Sequence, residues 1–171
     1  MTGVGRKELA VERFAIKDLI AWKNSPRRRP LLVQGARQVG KTWLIREFGQ
    51  THFAAVAYVN FLEDEAMARQ FEGELAPARL LDAVTLYTGV NAKDPNTLVV
   101  FDEIQECPRA LTSLKSFAER SPETALVAAG SLLGVALHRG VSFPVGKVDH
   151  LLIYPLSFDE FLLATGNNLM L

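Results

Sequence analysis

The sequence predicts an α/β fold around a mostly parallel central sheet, and three observations lead to it. Short apolar runs alternate with longer amphipathic stretches along most of the chain, the pattern of strands joined through helices. The run Leu98-Val99-Val100-Phe101 carries no polar residue, as expected of a strand covered on both faces. A glycine-containing turn separates the apolar run 30–33 from a helical stretch opening at Lys41.

Taken in order, residues 8–23 read as an amphipathic helix, with Leu9, Phe14, Ile16, Leu19, Ile20 and Trp22 mostly three or four positions apart. Asn24, Ser25 and Pro26 end it. The basic triplet Arg27–Arg29 follows, either a solvated turn or a grip for phosphate or a partner. Pro30–Val33 reads as a strand and Lys41–Phe48 as a helix, with Gly49 its expected stop. Ala55–Phe61 reads as a second strand. Glu63–Thr88 carries helical patterning interrupted near Gly73 and Pro77, and 91–97 reads as a polar loop. After the strand 98–101 come a helix at Pro108–Arg120 and a strand at Ala125–Ala129 ending on Gly130. A smaller segment holds Gly134, Gly140 and Gly146. Leu151–Tyr154 reads as the last strand, stopped by Pro155, and Ser157–Ala164 as the last helix.

Bulk properties narrow the function classes. A chain of 171 residues, 49% hydrophobic and 22% charged, fits one globular domain. The 19 basic and 19 acidic residues cancel, so no chain-wide field draws it to nucleic acid or anionic membrane. One cysteine, Cys107, excludes an intramolecular disulfide and a cysteine zinc cluster. His52, His138 and His150 show no ligand spacing. The N-terminus lacks a signal-peptide core, and no apolar run reaches the ~18 residues of a membrane span. The expectation is a cytoplasmic protein without a membrane partner.

Chemistry enters at Gly35-Ala36-Arg37-Gln38-Val39-Gly40-Lys41-Thr42, which satisfies G-x-x-x-x-G-K-[ST] at every position. Gly35 and Gly40 permit backbone angles and approaches that a Cβ blocks. Successive N–H groups from Ala36, Arg37, Gln38 and Val39 then form an anion nest at the positive end of the next helix. Lys41 brings a flexible point charge to the β- and γ-phosphates, and Thr42 offers a hydroxyl to Mg²⁺. The predicted fold is therefore the three-layer α/β/α P-loop NTPase, and the predicted cofactors are ATP and Mg²⁺.

Asp102 and Glu103 emerge at the end of the apolar run 98–101, the sheet edge where α/β proteins bind ligands. Asp102 is placed to hold Mg²⁺ with Thr42, and Glu103 to polarise an attacking water; the bland alternative is a pair of acids capping a helix near Cys107. Gln105 is a further candidate for water or γ-phosphate contact. Ser131, closing the next strand, suits either a γ-phosphate sensor or an N-cap. Arg120, Arg139 and Lys147 are available cations, none assignable as an arginine finger. Asn91-Ala92-Lys93-Asp94 superficially resembles a guanine-reading element, but its lysine is one place late and it precedes the Asp102 strand. A small-molecule kinase shares the loop; the acid after Asp102 favours water as acceptor.

With these residues in place, the chain resembles the AAA-type ATPases whose N-terminal domain precedes a DUF4143 C-terminal region. The resemblance rests on the loop 35–42, Glu47-Phe48-Gly49, Asn60-Phe61, Asp102-Glu103-Ile104-Gln105 with Pro108, and Leu114-Lys115 with Phe117. It continues through residues 130–134, 142–147 and Tyr154-Pro155-Leu156-Ser157-Phe158 with Glu160-Phe161. It implies an AAA-like core of the additional-strand type, with Glu103 and Lys41 catalytic and Ser131 sensor-like. It further implies an N-terminal helical segment over 1–29 and an ATPase core over 30–171 without the usual lid and DUF4143 region. The expected activity is Mg²⁺-dependent cleavage of the β–γ bond coupled to an unknown protein partner or self-association; the alternative is a nucleotide-dependent binding switch with little turnover. Nucleic acid enters as a partner only by family analogy.

Overall fold

The computed structural model describes residues 13–131 and 146–165. Five strands form one sheet: β1 (Leu31–Gln34), β2 (Ala55–Asn60), β3 (Thr97–Asp102), β4 (Ala125–Gly130) and β5 (Asp149–Leu152). Their spatial order is β2-β3-β4-β1-β5, and every pairing is parallel. Parallel neighbours need crossover connections: α2 (Lys41–His52) links β1 to β2, α3 (Glu65–Arg69) and α4 (Pro77–Thr88) link β2 to β3, and α5 (Pro108–Arg120) links β3 to β4, while α1 (Ala15–Lys23) precedes β1 and α6 (Phe158–Ala164) follows β5.

Alternation along the strands separates two apolar layers. On β3, Val99 and Phe101 join Phe61, Phe71, Leu111, Leu114 and Phe117 on the face covered by α3, α4 and α5. Leu98 and Val100 turn the other way, toward Leu19, Trp22, Leu44 and Phe48 of α1 and α2. All six residues of β3, and all six of β4, are buried. The apolar run 98–101 is thus a central strand because both of its faces are covered. Phe101 anchors one layer through edge-on contacts with Phe61, Phe71 and Phe117, at centroid distances of 5.6, 5.4 and 6.2 Å, a geometry aromatic quadrupoles favour.

Several boundaries differ from expectation for identifiable reasons. Of the expected helix 8–23, residues 8–12 lie outside the described residues, and α1 begins at Ala15. Arg13 and Phe14 are drawn instead to the Glu160 carboxylate. Gly49 is not a helix stop: α2 continues to His52. A Cβ at Gly49 would lie 2.6 Å from Val56 Cγ2 and 3.1 Å from Leu98 Cδ2, so the glycine lets α2 approach the sheet. The stretch 63–88 divides into α3, capped by the Asp64 side chain accepting from the Met67 N–H at 2.8 Å, and α4, opened by Pro77. Strand β5 starts two residues early, because the Asp149 N–H pairs with Pro30 O at the start of β1. A Ser157–Glu160 capping box opens α6. Gly134 and Gly140 lie outside the described residues, as do Arg139 and the motif residues 132–134 and 142–145.

Candidate functional site

Residues 35–42 run from the end of β1 to the first turn of α2. A Cβ on Gly35 would sit 2.3 Å from Ile153 O, so only glycine lets the loop pass the chain leaving β5. Gly40 is left-handed at φ 87°, and Gln38 is also at positive φ, 62°. Gly40 provides no side-chain cap, and the first turn of α2 holds no acid. The free N–H groups and positive dipole end of α2 are therefore available to an anion. Val39 is only 8% exposed and joins the core, so its part in the loop is played by its backbone.

The Lys41 ammonium donates to Gly35 O at 2.9 Å and Ala36 O at 2.6 Å, spanning the loop. Burial pulls its pKa below the usual value, against the raising fields of Glu103 and Asp102. Thr42 Oγ1 donates to Asp102 Oδ2 at 2.8 Å across the 60 residues between them. Asp102 is 3% exposed at the end of β3, and its Oδ1 accepts the Glu103 N–H at 2.9 Å. Glu103 takes a left-handed conformation, φ 50° and ψ 44°, between β3 and a short 3₁₀ turn at Ile104–Glu106. Gln38 and Glu103 are the two non-glycine residues at positive φ among those described. Both lie at the site, where such strain tends to be stored.

A cleft of about 490 Å³ is lined by Gln38, Lys41, Thr42, Glu103, Gln105 and Ser131 among others, within the size range of small-molecule sites. Gln105 Nε2 donates to Glu103 Oε2, while Gln105 Oε1 and Ser131 Oγ are buried with no hydrogen-bond partner among the described residues. The structure thus gathers the expected site residues into one place: the loop 35–42, the acids 102 and 103, and Ser131. The residue after Ser131 lies outside the described set.

Other candidates fall elsewhere. Arg28 stacks over Trp22 at 5.5 Å and donates to Glu123 O, and Arg29 donates to Gly146 O, so both fasten loops. Lys147 pairs with Glu119 at 3.0 Å on the surface. Asn91 and Asp94 side chains accept backbone N–H groups within their own turn. Burial raises the Cys107 thiol pKa.

Two contributors carry no sequence motif. The Tyr58 hydroxyl donates to Asp102 Oδ2 at 2.5 Å, and its ring lies 4.3 Å beneath the Arg46 guanidinium. Burial first, then the bond to Asp102 and its charge, raise the phenol pKa well above normal. Arg13 donates to Val39 O at 2.8 Å, Tyr154 O at 2.7 Å and Glu160 Oε1 at 3.2 Å. Only the knowledge that β2 lies beside β3, and that α6 lies behind the loop, would have revealed them.

Among the described residues, no group of three or more His, Cys, Asp or Glu converges as a metal cluster. A cation here would be held by the Thr42 hydroxyl and the Asp102 carboxylate with phosphate oxygens and water. Hard oxygen donors of that kind suit Mg²⁺. No helix among the described residues is long and apolar enough to cross a membrane.

A parallel sheet with β4 inserted between the loop-bearing β1 and the acid-bearing β3 defines a P-loop NTPase fold of the additional-strand class. The chain belongs to the AAA_14 family, an AAA domain, whose model matches residues 27–162. It is similar in fold to the Walker-type ATPase PABY2304 of Pyrococcus abyssi, with a TM-score of 0.59 and 18% identity over 95% of this chain and 59% of that one. AMPPCP-bound DnaA from Aquifex aeolicus also matches, with a TM-score of 0.48 and 16% identity over 91% of this chain and 49% of that one. The chain thus spans about half to three-fifths of the length of these solved structures. A search of curated proteins gives no match.

Proposed function

We propose that the protein is an Mg²⁺-dependent ATPase that cleaves the β–γ bond of ATP and couples the release to a partner. The observation that carries this reading is the Thr42–Asp102 hydrogen bond at 2.8 Å: it brings the end of β3 against the start of α2, with Lys41 and Glu103 lining the same cleft. The loop amides 36–42 and the α2 dipole bind the polyphosphate. The Lys41 ammonium exchanges its two loop carbonyls for β- and γ-phosphate oxygens, where it offsets developing charge. Thr42 and Asp102 hold the magnesium ion, which when bound supplies charge neutralisation at the phosphates. The Glu103 carboxylate orients the attacking water and accepts its proton, and Ser131 reports on the γ-phosphate position. The substrate assignment to ATP and the cytoplasmic location belong to this reading, as does the division into an N-terminal segment 1–29 and a core 30–171.

The test is Glu103→Gln. Phosphate release should fall roughly 10²-fold or more, the usual worth of a general base, while MgATP binding stays within a few-fold. Equal loss of binding and turnover would remove Glu103 from the chemical step.

A second reading has its own support. Glu103 is engaged by Gln105, and Lys41 by loop carbonyls, so both side chains must change partners before they can act on a phosphate or a water. A nucleotide-dependent switch needs only occupancy. Wild-type protein that binds MgATP without releasing phosphate in any oligomeric state would establish it.

A further inference from the structure

We propose that Tyr58 is the positioning residue of the Asp102 carboxylate, setting the orientation in which that carboxylate meets Thr42 and a magnesium–nucleotide. The inference rests on the proposed function and assigns a role to a residue outside both sequence motifs.

The bonding of Asp102 leaves little choice of orientation. Oδ1 is taken by the Glu103 N–H at 2.9 Å, and Oδ2 accepts both the Thr42 hydroxyl at 2.8 Å and the Tyr58 hydroxyl at 2.5 Å. Of the two hydroxyls, that of Thr42 belongs to the phosphate site and must serve the cation as well. Tyr58 stands on β2, away from the loop, so its bond to Oδ2 can persist while Thr42 changes partners. Buried carboxylates with a charged acceptor and a neutral donor form strong, short hydrogen bonds.

Tyr58 is itself held. In the β2–β3 register its partner is Val100, while Asp102 lies opposite Asn60. The phenol therefore reaches diagonally along the sheet, a distance that aromatic side chains span. Its ring is covered by Arg46 at 4.3 Å, and Arg46 lies one turn beyond Thr42 on α2. A closed circuit of contacts results: α2 through Arg46 to Tyr58, Tyr58 to Asp102, and Asp102 back to Thr42 on α2. An ordinary phenol loses its proton only near pH ~10, so the hydroxyl is a donor at neutral pH.

The experiment uses the full chain and the variant Tyr58→Phe, which retains the ring and its stacking but deletes the hydroxyl. Binding of a non-hydrolysable ATP analogue is followed calorimetrically in EDTA and over a range of Mg²⁺ concentrations. The expected result is an affinity in EDTA within about twofold of wild type and a half-saturating Mg²⁺ concentration at least fivefold higher. Arg46→Leu, which leaves the phenol uncovered, should move the Mg²⁺ midpoint in the same direction by a smaller factor. An unchanged midpoint in Tyr58→Phe overturns the inference. Should that variant fail to fold, an unchanged midpoint in Arg46→Leu overturns it equally. Wild-type protein that binds the analogue equally with and without Mg²⁺ would overturn the proposed function, and this inference with it. A purely structural tyrosine would change the melting temperature and leave the Mg²⁺ midpoint alone.

Discussion

Arg13 donates a guanidinium N–H to the backbone carbonyl of Val39, 2.8 Å away in the middle of the phosphate loop. A residue preceding the first helix thus supports the loop from behind. The same guanidinium binds the Glu160 carboxylate in an ion pair whose side chains are 8% and 6% exposed, joining the loop to the start of α6.

Removing one member of such a pair leaves the other charge buried without compensation, which typically costs about 3–5 kcal/mol. Arg13→Ala should therefore lower the unfolding free energy by roughly 3 kcal/mol and weaken nucleotide binding, because the loop carbonyl loses its anchor. Chemical denaturation measures the first effect and calorimetry the second. A change below about 1 kcal/mol would show the pair to be incidental.

The Glu160 pair also has a pH signature. Burial tends to raise the Glu160 pKa, but the N–H groups of Ser157 and Phe14, with Arg13, outweigh it and hold the group below its usual 4.5. A depressed carboxylate pKa contributes stability that is fully present above the unfolded value and lost as pH falls through the folded one. The stability difference between wild type and Glu160→Gln should therefore be constant from pH 7 down to about 5 and shrink below pH 4.5. Urea unfolding across that range tests it; a gap independent of pH would contradict the linkage.

Gly49→Ala separates two opposing effects in α2. Alanine is favoured over glycine in a helix interior by about 1 kcal/mol, yet its Cβ would stand 2.6 Å from Val56 Cγ2. Valine is stiff at χ1, and overpacking commonly costs about 1–3 kcal/mol. Gly49→Ala should be net destabilising by roughly 1 kcal/mol, and adding Val56→Ala should recover part of the loss. A stabilised single variant, read from denaturation midpoints, would mean that helix propensity outweighs the contact.

The same residues show what was legible in the sequence. The loop 35–42 is contiguous, and Asp102 follows a run whose burial on both faces is written in its composition, so both are readable without coordinates. Gly49 is not, because its reason for being glycine is Val56 on β2, a neighbour set by packing. Tyr58 reaches Asp102 across 44 residues, and Arg13 reaches Glu160 across 147. Both partnerships depend on strand order and on where α6 docks, and no local pattern encodes either. Ser157–Ala164 was readable in part because its capping box is local.

The clasp on a triphosphate is tested most directly by thermal unfolding of wild type and Lys41→Ala, with and without MgATP. A ligand at 100-fold above its Kd stabilises the folded state by ~2.7 kcal/mol, or roughly 5–10 °C for a domain of this size. Wild type should show that rise and Lys41→Ala almost none. An equal rise in both proteins would place the nucleotide somewhere other than the loop 35–42.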